Sequence, residues 1–504
     1  MLKYGGVRLC LSTACTLIVL CSLTGDVGGS DWRLARNLDR ILSEPALEGA
    51  FVGVFVLDLE TGRVLYQKNP DLLFIPASCQ KLLTTAASLY WLGPDYRFRT
   101  SFGTPDSVGS DSVLYGDLLV RAGGDPSFSE SFGIDPDSLF LTWADSLRAE
   151  GIGRIKGSLK VDESAFDRAR LGYGWDWHYL SRSYAPEVSA FSYNDNSVLL
   201  RVSPGARAGI PAVVGIHPEA SFIALENDAV TSDTGGETAL SVERKALSNE
   251  ICVSGSLAVG RAGESRRVSV HDPALLFAER LELALEQKSM AVEGGALVCG
   301  QPSGAGQEIF SYYSPALESI VCVTNRMSMN LSAEMLFKTI GGVAFEEGTF
   351  ENGARAVGVY MSRIGVDSSA FVCVDGSGLS RRNLVSPRAL VWVLRAEWSE
   401  NGGGPFVRSL PVSGSPGTLE GRMKSPSISG RIRAKTGTLD QTSALSGYVS
   451  SISGRHIAFA MLSNHFASDL NAVRAVEEEL GETLVRYRPS HLGPWEKARW
   501  GKVR

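Results

Sequence analysis

Ser78 and Lys81 stand three residues apart in Pro76-Ala77-Ser78-Cys79-Gln80-Lys81-Leu82-Leu83. On a helix, residues three apart share a face, with Cβ atoms about 5–6 Å apart. A serine hydroxyl is a poor nucleophile near neutral pH and needs an adjacent base, which a desolvated lysine supplies. The pair reads as nucleophile and general base for acyl transfer. Alone the tetrad says little, since roughly two are expected by chance in a chain this long. Two further short motifs follow it, Ser328-Met329-Asn330 and Lys435-Thr436-Gly437.

The elements that must hold these motifs are legible in outline. Apolar spacing predicts a helix over Trp32–Leu42, and β-rich runs at Phe51–Leu59 and Val64–Gln67 flank the turn Glu60-Thr61-Gly62. This hairpin leads into a helix that starts at Ser78 and extends to about Trp91. From 96 to 307 short β-branched runs alternate with Gly, Asp and Ser clusters, interrupted by helical stretches at 137–150 and 273–287. Helices are expected again at 314–326 and 331–340, with a break at Met327–Asn330 between them. Arg431–Ala434 leads as a strand into Lys435-Thr436-Gly437-Thr438. A second hairpin spans 444–450 and 457–462, and Ser468 is positioned to cap a last helix. A hairpin near each end of the chain predicts one antiparallel sheet made from both, with the β-rich segment inserted between. The expected division is 30–95, 96–307 and 308–487.

Composition narrows the function. A chain of 504 residues is too long for one ordinary core. A net charge of −6 argues against a general nucleic-acid binder. There is no phosphate-binding Gly-x-x-x-x-Gly-Lys loop, and the six histidines form no His-Glu-x-x-His, so neither a metal nor a cofactor is expected. Lys3 and Arg8 precede a mostly apolar run, Leu9–Leu23, and small residues at Gly25, Gly28, Gly29 and Ser30. Residues 1–29 read as a secretory signal, which predicts export across the inner membrane, to the periplasm. The run is short for a spanning anchor, and Leu20 is large for a lipidation site at Cys21. Beyond the signal remain Cys79, Cys252, Cys299, Cys322 and Cys373. Four sit in apolar runs and read as small buried hydrophobes on strands; any disulfide pairing is open. The segment 488–504 is basic, carries Trp495 and Trp500, and is interrupted by Pro494. It reads as a loosely ordered tail able to touch a membrane or cell wall.

Ser-x-x-Lys, Ser-x-Asn and Lys-Thr-Gly, in that order, are the signature of penicillin-binding proteins and serine β-lactamases. The chain resembles one family within that group more closely, the D-alanyl-D-alanine carboxypeptidase/endopeptidases of the penicillin-binding protein 4 type. The resemblance rests on Pro76-Ala77-Ser78-x-Gln80-Lys81, Gly123-Gly124-Asp125-Pro126, Gly174-Trp175-x-Trp177 and Asn194-Asp195-Asn196. It also rests on Asp375-Gly376-Ser377-Gly378-Leu379-Ser380, Ser409-Leu410-Pro411-Val412-Ser413-Gly414 and Arg433–Leu439, and covers about 45–480. It implies an α+β fold: a β-lactamase/transpeptidase-like domain, its antiparallel sheet carrying helices on both faces, interrupted by two smaller β-rich domains. Cys79, Met329 and Gln441 stand where the family usually has threonine, an acidic residue and glycine.

The resemblance also assigns roles. Ser78 is the acylated nucleophile and Lys81 its base. Ser328 relays a proton to the leaving amine and Asn330 holds the substrate amide. Lys435, with Thr436, Gly437 and Thr438 on the same strand, faces the substrate's terminal carboxylate, and the N–H groups of Ser78 and Thr438 form an oxyanion hole. Arg381 and Asp162 match residues that meet the carboxylate and free amine of diaminopimelate. Asp375–Ser380 reads chiefly as a tight turn. The expected activity is hydrolysis of D-Ala-D-Ala and D-Ala–diaminopimelate bonds in peptidoglycan stem peptides, with β-lactams acylating the same serine. Two other readings are a β-lactamase, which lacks a clear additional acid to activate water, and an inactive cell-wall or β-lactam binder, against which the complete Ser/Lys/Ser/Lys set argues.

Overall fold

In the computed structural model, which describes residues 31–236, 238–300, 306–401 and 404–489, the two ends of the chain share one five-stranded antiparallel sheet. Its strand order is Ile432–Leu439, Thr442–Ser450, His456–Asn464, Phe51–Asp58, Val64–Lys68. Successive side chains on a strand point to opposite faces, and these strands are apolar on both. Phe55, Leu57, Tyr448, Ala458, Ala460 and Leu462 face the Ser78 helix and the helix Pro387–Asn401. Val54, Val56, Leu445, Val449, Phe459 and Met461 face Leu34, Leu38 and Ile41 of helix Asp31–Ile41 and Val473, Leu480 and Leu484 of helix Leu470–Val485. Burial on both faces explains the near-continuous hydrophobic runs. The fold is α+β with helices on both faces of this sheet.

Between the halves lie other sheets. One has the order Ala296–Cys299, Leu159–Asp162, Leu118–Arg121, Arg99–Thr104, Gln307–Tyr313. Helices Pro136–Ala149 and Pro273–Gln287 contribute Phe140, Trp143, Leu281 and Phe277 to the same core. Residues 197–269 form a three-stranded and a four-stranded sheet. The returning strand Gln307–Tyr313 pairs antiparallel with Arg99–Thr104. The inserted β structure therefore closes near 313 rather than 307.

Several sequence expectations shift. The helix after the insert begins at Leu317, because the chain passes through Pro315 and the extended Ala316 first. It contains Cys322, so that thiol is on a helix and not a strand; the five described cysteines are free, and only Cys79 is buried. Asp469, not Ser468, caps the last helix by accepting from Asn471 N, while the Ser468 hydroxyl donates to the Ala46 carbonyl. Helix Phe350–Arg363 was not anticipated; Gly353 and Gly358 dilute its pattern, and a Cβ on Gly353 would lie 2.6 Å from the Phe337 ring. Gln441 turns the hairpin between Leu439 and Thr442 at φ 53, a conformation that favours glycine. The expected signal lies outside the described residues, as does the tail from 490 on. Among the described residues no helix is long and apolar enough to cross a membrane.

Candidate active site

Ser78 sits in the short 3-10 turn Ala77–Cys79, one step before the α-helix Gln80–Leu92. Ala77 takes the left-handed region, φ 46, a conformation that costs a non-glycine residue on the order of 1–3 kcal/mol and persists only where its surroundings enforce it. They do so here through backbone packed from two sides. A Cβ on Gly378 would fall 1.8 Å from the Ala77 carbonyl oxygen, and one on Gly437 would fall 2.5 Å from that of Pro76. The Asp375–Ser380 loop and the Lys435 strand thus grip the turn, and only glycine permits either approach.

Lys81 has no exposed surface. Its Nζ stands 3.0 Å from Ser78 Oγ, 2.5 Å from Asn330 Oδ1 and 2.7 Å from the Ser377 carbonyl oxygen. Asn330 Oδ1 and the Ser377 oxygen can only accept. A neutral amine sends its two N–H bonds to them, which leaves the lone pair for the Ser78 hydroxyl. Burial, followed by the nearby charge of Lys435, holds the Lys81 amine well below the ordinary lysine range.

Ser328 occupies the junction of helices Leu317–Arg326 and Asn330–Phe345, again with positive φ, 59. Its Oγ accepts from Lys435 Nζ at 2.9 Å, and Lys435 also donates to the Thr436 carbonyl at 2.9 Å. Lys435 is fully buried, which lowers it to about 8. Cys79 points away from the hydroxyl pair and donates to the Lys435 carbonyl. The strand is held on its outer edge by the 409–414 segment, where Ser413 N donates to the Ile432 carbonyl and Ala434 N to that of Pro411.

These side chains open into a cavity of about 730 Å³ lined by Ser78, Ser328, Asn330 and Thr438 on one side and by Tyr179 and Tyr184 of the insert on the other. A smaller cavity of about 430 Å³ reaches from Ser78 past Thr436 and Thr438 to Arg422 and Arg474. Arg422 is tied to Glu477 and Glu478. Arg474 Nη2 donates to Thr438 Oγ1 at 3.3 Å, which adds a cation beside the strand.

The insert is fastened to this floor at several points. Asn330 Nδ2 donates to the Tyr184 carbonyl at 2.6 Å, Trp175 Nε1 to Asp375 Oδ2 at 2.9 Å, and the Ser380 hydroxyl to the Tyr173 carbonyl at 2.7 Å. Lys338, buried, reaches Asp167 Oδ1 and the Ala169 carbonyl, both at 2.6 Å. Asp375 also accepts from Gly378 N, Ser380 N and Asn383 Nδ2, which gives its loop the tight-turn character expected of it.

Ser78, Lys81, Ser328, Asn330, Lys435, Thr436, Gly437 and Thr438 are thereby brought together. Arg381 lies at the rim, where Nη2 donates to the Asp440 carbonyl at 2.6 Å and Asp176 and Tyr179 share its electrostatic neighbourhood. Asp162 is not part of the group. It is 6% exposed, ends a strand of the inserted sheet, faces Arg121 Nε at 3.2 Å and accepts from Ser164 N. Its carboxylate is engaged within the insert and is not among the residues lining the cavity, and Asp176 is one acid that feels the charge of Arg381. Sequence reading also passed over Arg474 and Glu334. Glu334 follows Asn330 by four residues and is a lone charge among Leu331, Ala333, Met335 and Leu336, a signal the helical pattern did contain. The Ser377 and Tyr184 carbonyls are backbone atoms and leave no such signal.

Known proteins share this architecture across most of its length. The D-alanyl-D-alanine carboxypeptidase of Actinomadura sp. (strain R39) is 33% identical over 474 residues, 92% of this chain and 86% of that protein. The crystal structure of penicillin binding protein 4 (dacB) from Haemophilus influenzae superposes with a TM-score of 0.80 at 23% identity, covering 90% of this chain and all of that one. The same protein complexed with a β-lactam superposes at 0.74 with the same coverage. The D-Ala-D-Ala carboxypeptidase 3 (S13) family model matches residues 34–484, both halves of the divided sheet and everything between them, and the chain belongs to that family.

Proposed function

We propose that this protein is a serine DD-peptidase whose acyl-enzyme forms on Ser78. The observation that carries this is the set of partners around Lys81: two obligate acceptors and one hydroxyl, in a site with no exposed lysine surface. Lys81 takes the Ser78 proton as Oγ attacks the carbonyl of the penultimate D-Ala. The N–H groups of Ser78 and Thr438 receive the developing oxyanion. Ser328, bonded to Lys435, hands its proton to the leaving amine and takes in return the one Lys81 holds, so that Lys81 is neutral again when the C–N bond has broken. Water then attacks the ester, and the proton it loses restores Ser78. Lys435, Thr436, Thr438 and Arg474 hold the substrate's terminal carboxylate, and Asn330 meets the acyl-side amide.

The substrates we assign are D-Ala-D-Ala termini and D-Ala–diaminopimelate cross-links of peptidoglycan, so carboxypeptidase and endopeptidase action use one site. Arg381 meets the side-chain carboxylate of diaminopimelate, with Asp176 opposite the amine in place of Asp162. A β-lactam acylates the same serine because its strained amide mimics the scissile bond; binding of such a compound by the Haemophilus relative supports this. The enzyme acts outside the inner membrane after export, and its basic tail contacts the membrane surface or wall peripherally.

Mass spectrometry of purified muropeptides after incubation identifies the bond cut. Loss of terminal D-Ala together with conversion of dimers to monomers is expected; unchanged dimers would remove the endopeptidase half. Peptide mapping after benzylpenicillin labelling should find the adduct on Ser78 alone, and a label elsewhere would overturn the assignment of the nucleophile.

A further inference from the structure

The helix Asn330–Phe345 presents Asn330, Glu334 and Lys338 at four-residue spacing, and residues so spaced lie on one face. Asn330 meets Lys81 directly. Glu334 has no exposed surface and no part in the chemistry above. Its Oε2 accepts from Gly376 N at 2.7 Å and its Oε1 from Ser377 N at 2.8 Å. The intervening peptide is fixed from its other end, where Thr84 Oγ1 donates to the Gly376 carbonyl at 2.7 Å. Gly376 must be glycine for this, because a Cβ would fall 2.6 Å from both the Ala333 carbonyl and Phe337 Cβ. The next carbonyl, that of Ser377, is the one that accepts from Lys81.

We propose that Glu334 is the positioning residue for Lys81: its two oxygens clamp consecutive N–H groups so that the Ser377 carbonyl meets the amine, and its charge sits behind that amine. The inference rests on the reading of Lys81 as the base. Two oxygens that each accept a main-chain N–H require a carboxylate; glutamine has only one acceptor. Without the clamp, the loop is free to turn the Ser377 carbonyl away, and the lone pair of Lys81 is no longer aimed at Ser78.

The charge acts with a definite sign. A nearby anion favours the ammonium form of lysine. Facing the pair are Asp375 and Cys373 around the loop, Cys79 on the Ser78 turn, Lys435 on the strand and Lys338 on the same helix, with Asp167 and Glu163 of the insert behind Lys338. Burial, followed by Asp375, raises the Glu334 carboxyl, and the N–H groups of Gly376 and Ser377 oppose that rise by favouring the carboxylate. Where Glu334 is ionised, removing it takes away an anion, so Lys81 should give up its proton more readily and the acid limb of acylation should move to lower pH.

The test is the pH dependence of benzylpenicillin acylation for the full chain, Glu334→Gln and Glu334→Asp, with Lys81→Ala as reference. For Glu334→Gln the plateau rate is expected to fall about 10–100-fold, the scale of a lost charged hydrogen bond, while the acid limb moves down by about one pH unit. Glu334→Asp keeps the charge but is one methylene shorter, so its plateau should fall with the limb in place. A Glu334→Gln profile that coincides with wild type overturns the proposal, and so does a lowered plateau with an unmoved limb, which marks loss of packing only. If Glu334→Gln does not fold, Glu334→Asp decides: a wild-type plateau there rules out the clamp. Undiminished acylation by Lys81→Ala would instead remove the base reading itself, a separate failure.

Discussion

The floor of the cavity and the wall facing it, made by the insert together with Arg381 at the rim, are built on opposite plans. On the floor, Lys81 and Lys435 are wholly buried and donate to named acceptors, and two residues, Ala77 and Ser328, are held at positive φ. On the wall, Tyr184 is 48% exposed, and Arg381 at the rim donates to the Asp440 carbonyl beside Tyr179. Burial without strain relief is expensive, and a fold sustains it where the geometry of reacting groups must be fixed. Exposed aromatic and charged side chains are suited to selecting among ligands that arrive from solvent. Floor changes should therefore damage every reaction of the site, and wall changes should discriminate between substrates.

The largest effect should come from Lys81→Ala. Loss of a general base typically costs about 10²–10⁴-fold, and the loss should appear equally with benzylpenicillin and with a stem peptide, at an unchanged melting temperature. Stopped-flow acylation and a thermal melt check this together. A variant that loses activity on the peptide alone would place Lys81 with the wall.

Lys435 comes next and can be read without mutation. In the proposed mechanism, acylation requires neutral Lys81 and charged Lys435. It should fall on the acid side as Lys81 gains a proton, and on the alkaline side as pH rises through about 8, where Lys435 loses one. Lys435→Ala should lower kcat/KM about 10–100-fold and abolish that alkaline limb. If the limb persists in the variant, another group is responsible for it.

The difference between floor and wall also governs what the sequence disclosed. The sheet, both hairpins and the Ser78 helix were readable, because burial on both faces writes continuous apolar runs into the strands and a helical period into the flanking helices. The side chains that meet around Lys81 and Lys435 were readable as a group because the chemistry proposed for them restricts residue type and spacing. The wall was not. Asp162 and Arg381 were paired by motif, yet the fold spends Asp162 on Arg121 and sets Asp176 near Arg381. No periodicity relates residues that meet across an insertion of two hundred positions. Contacts made through the carbonyls of Ser377 and Tyr184 are independent of side-chain identity, so nothing in residue type could announce them.

Arg381→Ala probes the wall. It should lower kcat/KM on a diaminopimelate-bearing peptide about 10–100-fold, the cost of one charged contact, and barely change benzylpenicillin acylation. Asp176→Asn should follow the same pattern, and Asp162→Asn should not. Equal losses on peptide and penicillin for Arg381→Ala would make it part of the floor, acting through the Asp440 carbonyl on the hairpin that follows Thr438.

The smallest effect, and the one that tests where wall meets floor, belongs to Tyr179. Its ring packs edge-on against Tyr184 with centroids 5.5 Å apart, and both line the main cavity. An aromatic pair contributes about 0.5–1.5 kcal/mol beyond its buried area, so Tyr179→Ala should weaken the peptide substrate roughly 2–10-fold, chiefly in KM. The Tyr184 carbonyl, however, accepts from Asn330 Nδ2, and Asn330 Oδ1 accepts from Lys81. If the ring pair only shapes the wall, benzylpenicillin acylation keeps its rate. If it also fixes the Tyr184 backbone, the Asn330 amide loses its orientation, and acylation by benzylpenicillin falls in step with peptide hydrolysis. Measuring both substrates on Tyr179→Ala and Tyr184→Phe separates these cases. Parallel losses confined to Tyr179→Ala would show that the insert orients a floor residue through its backbone.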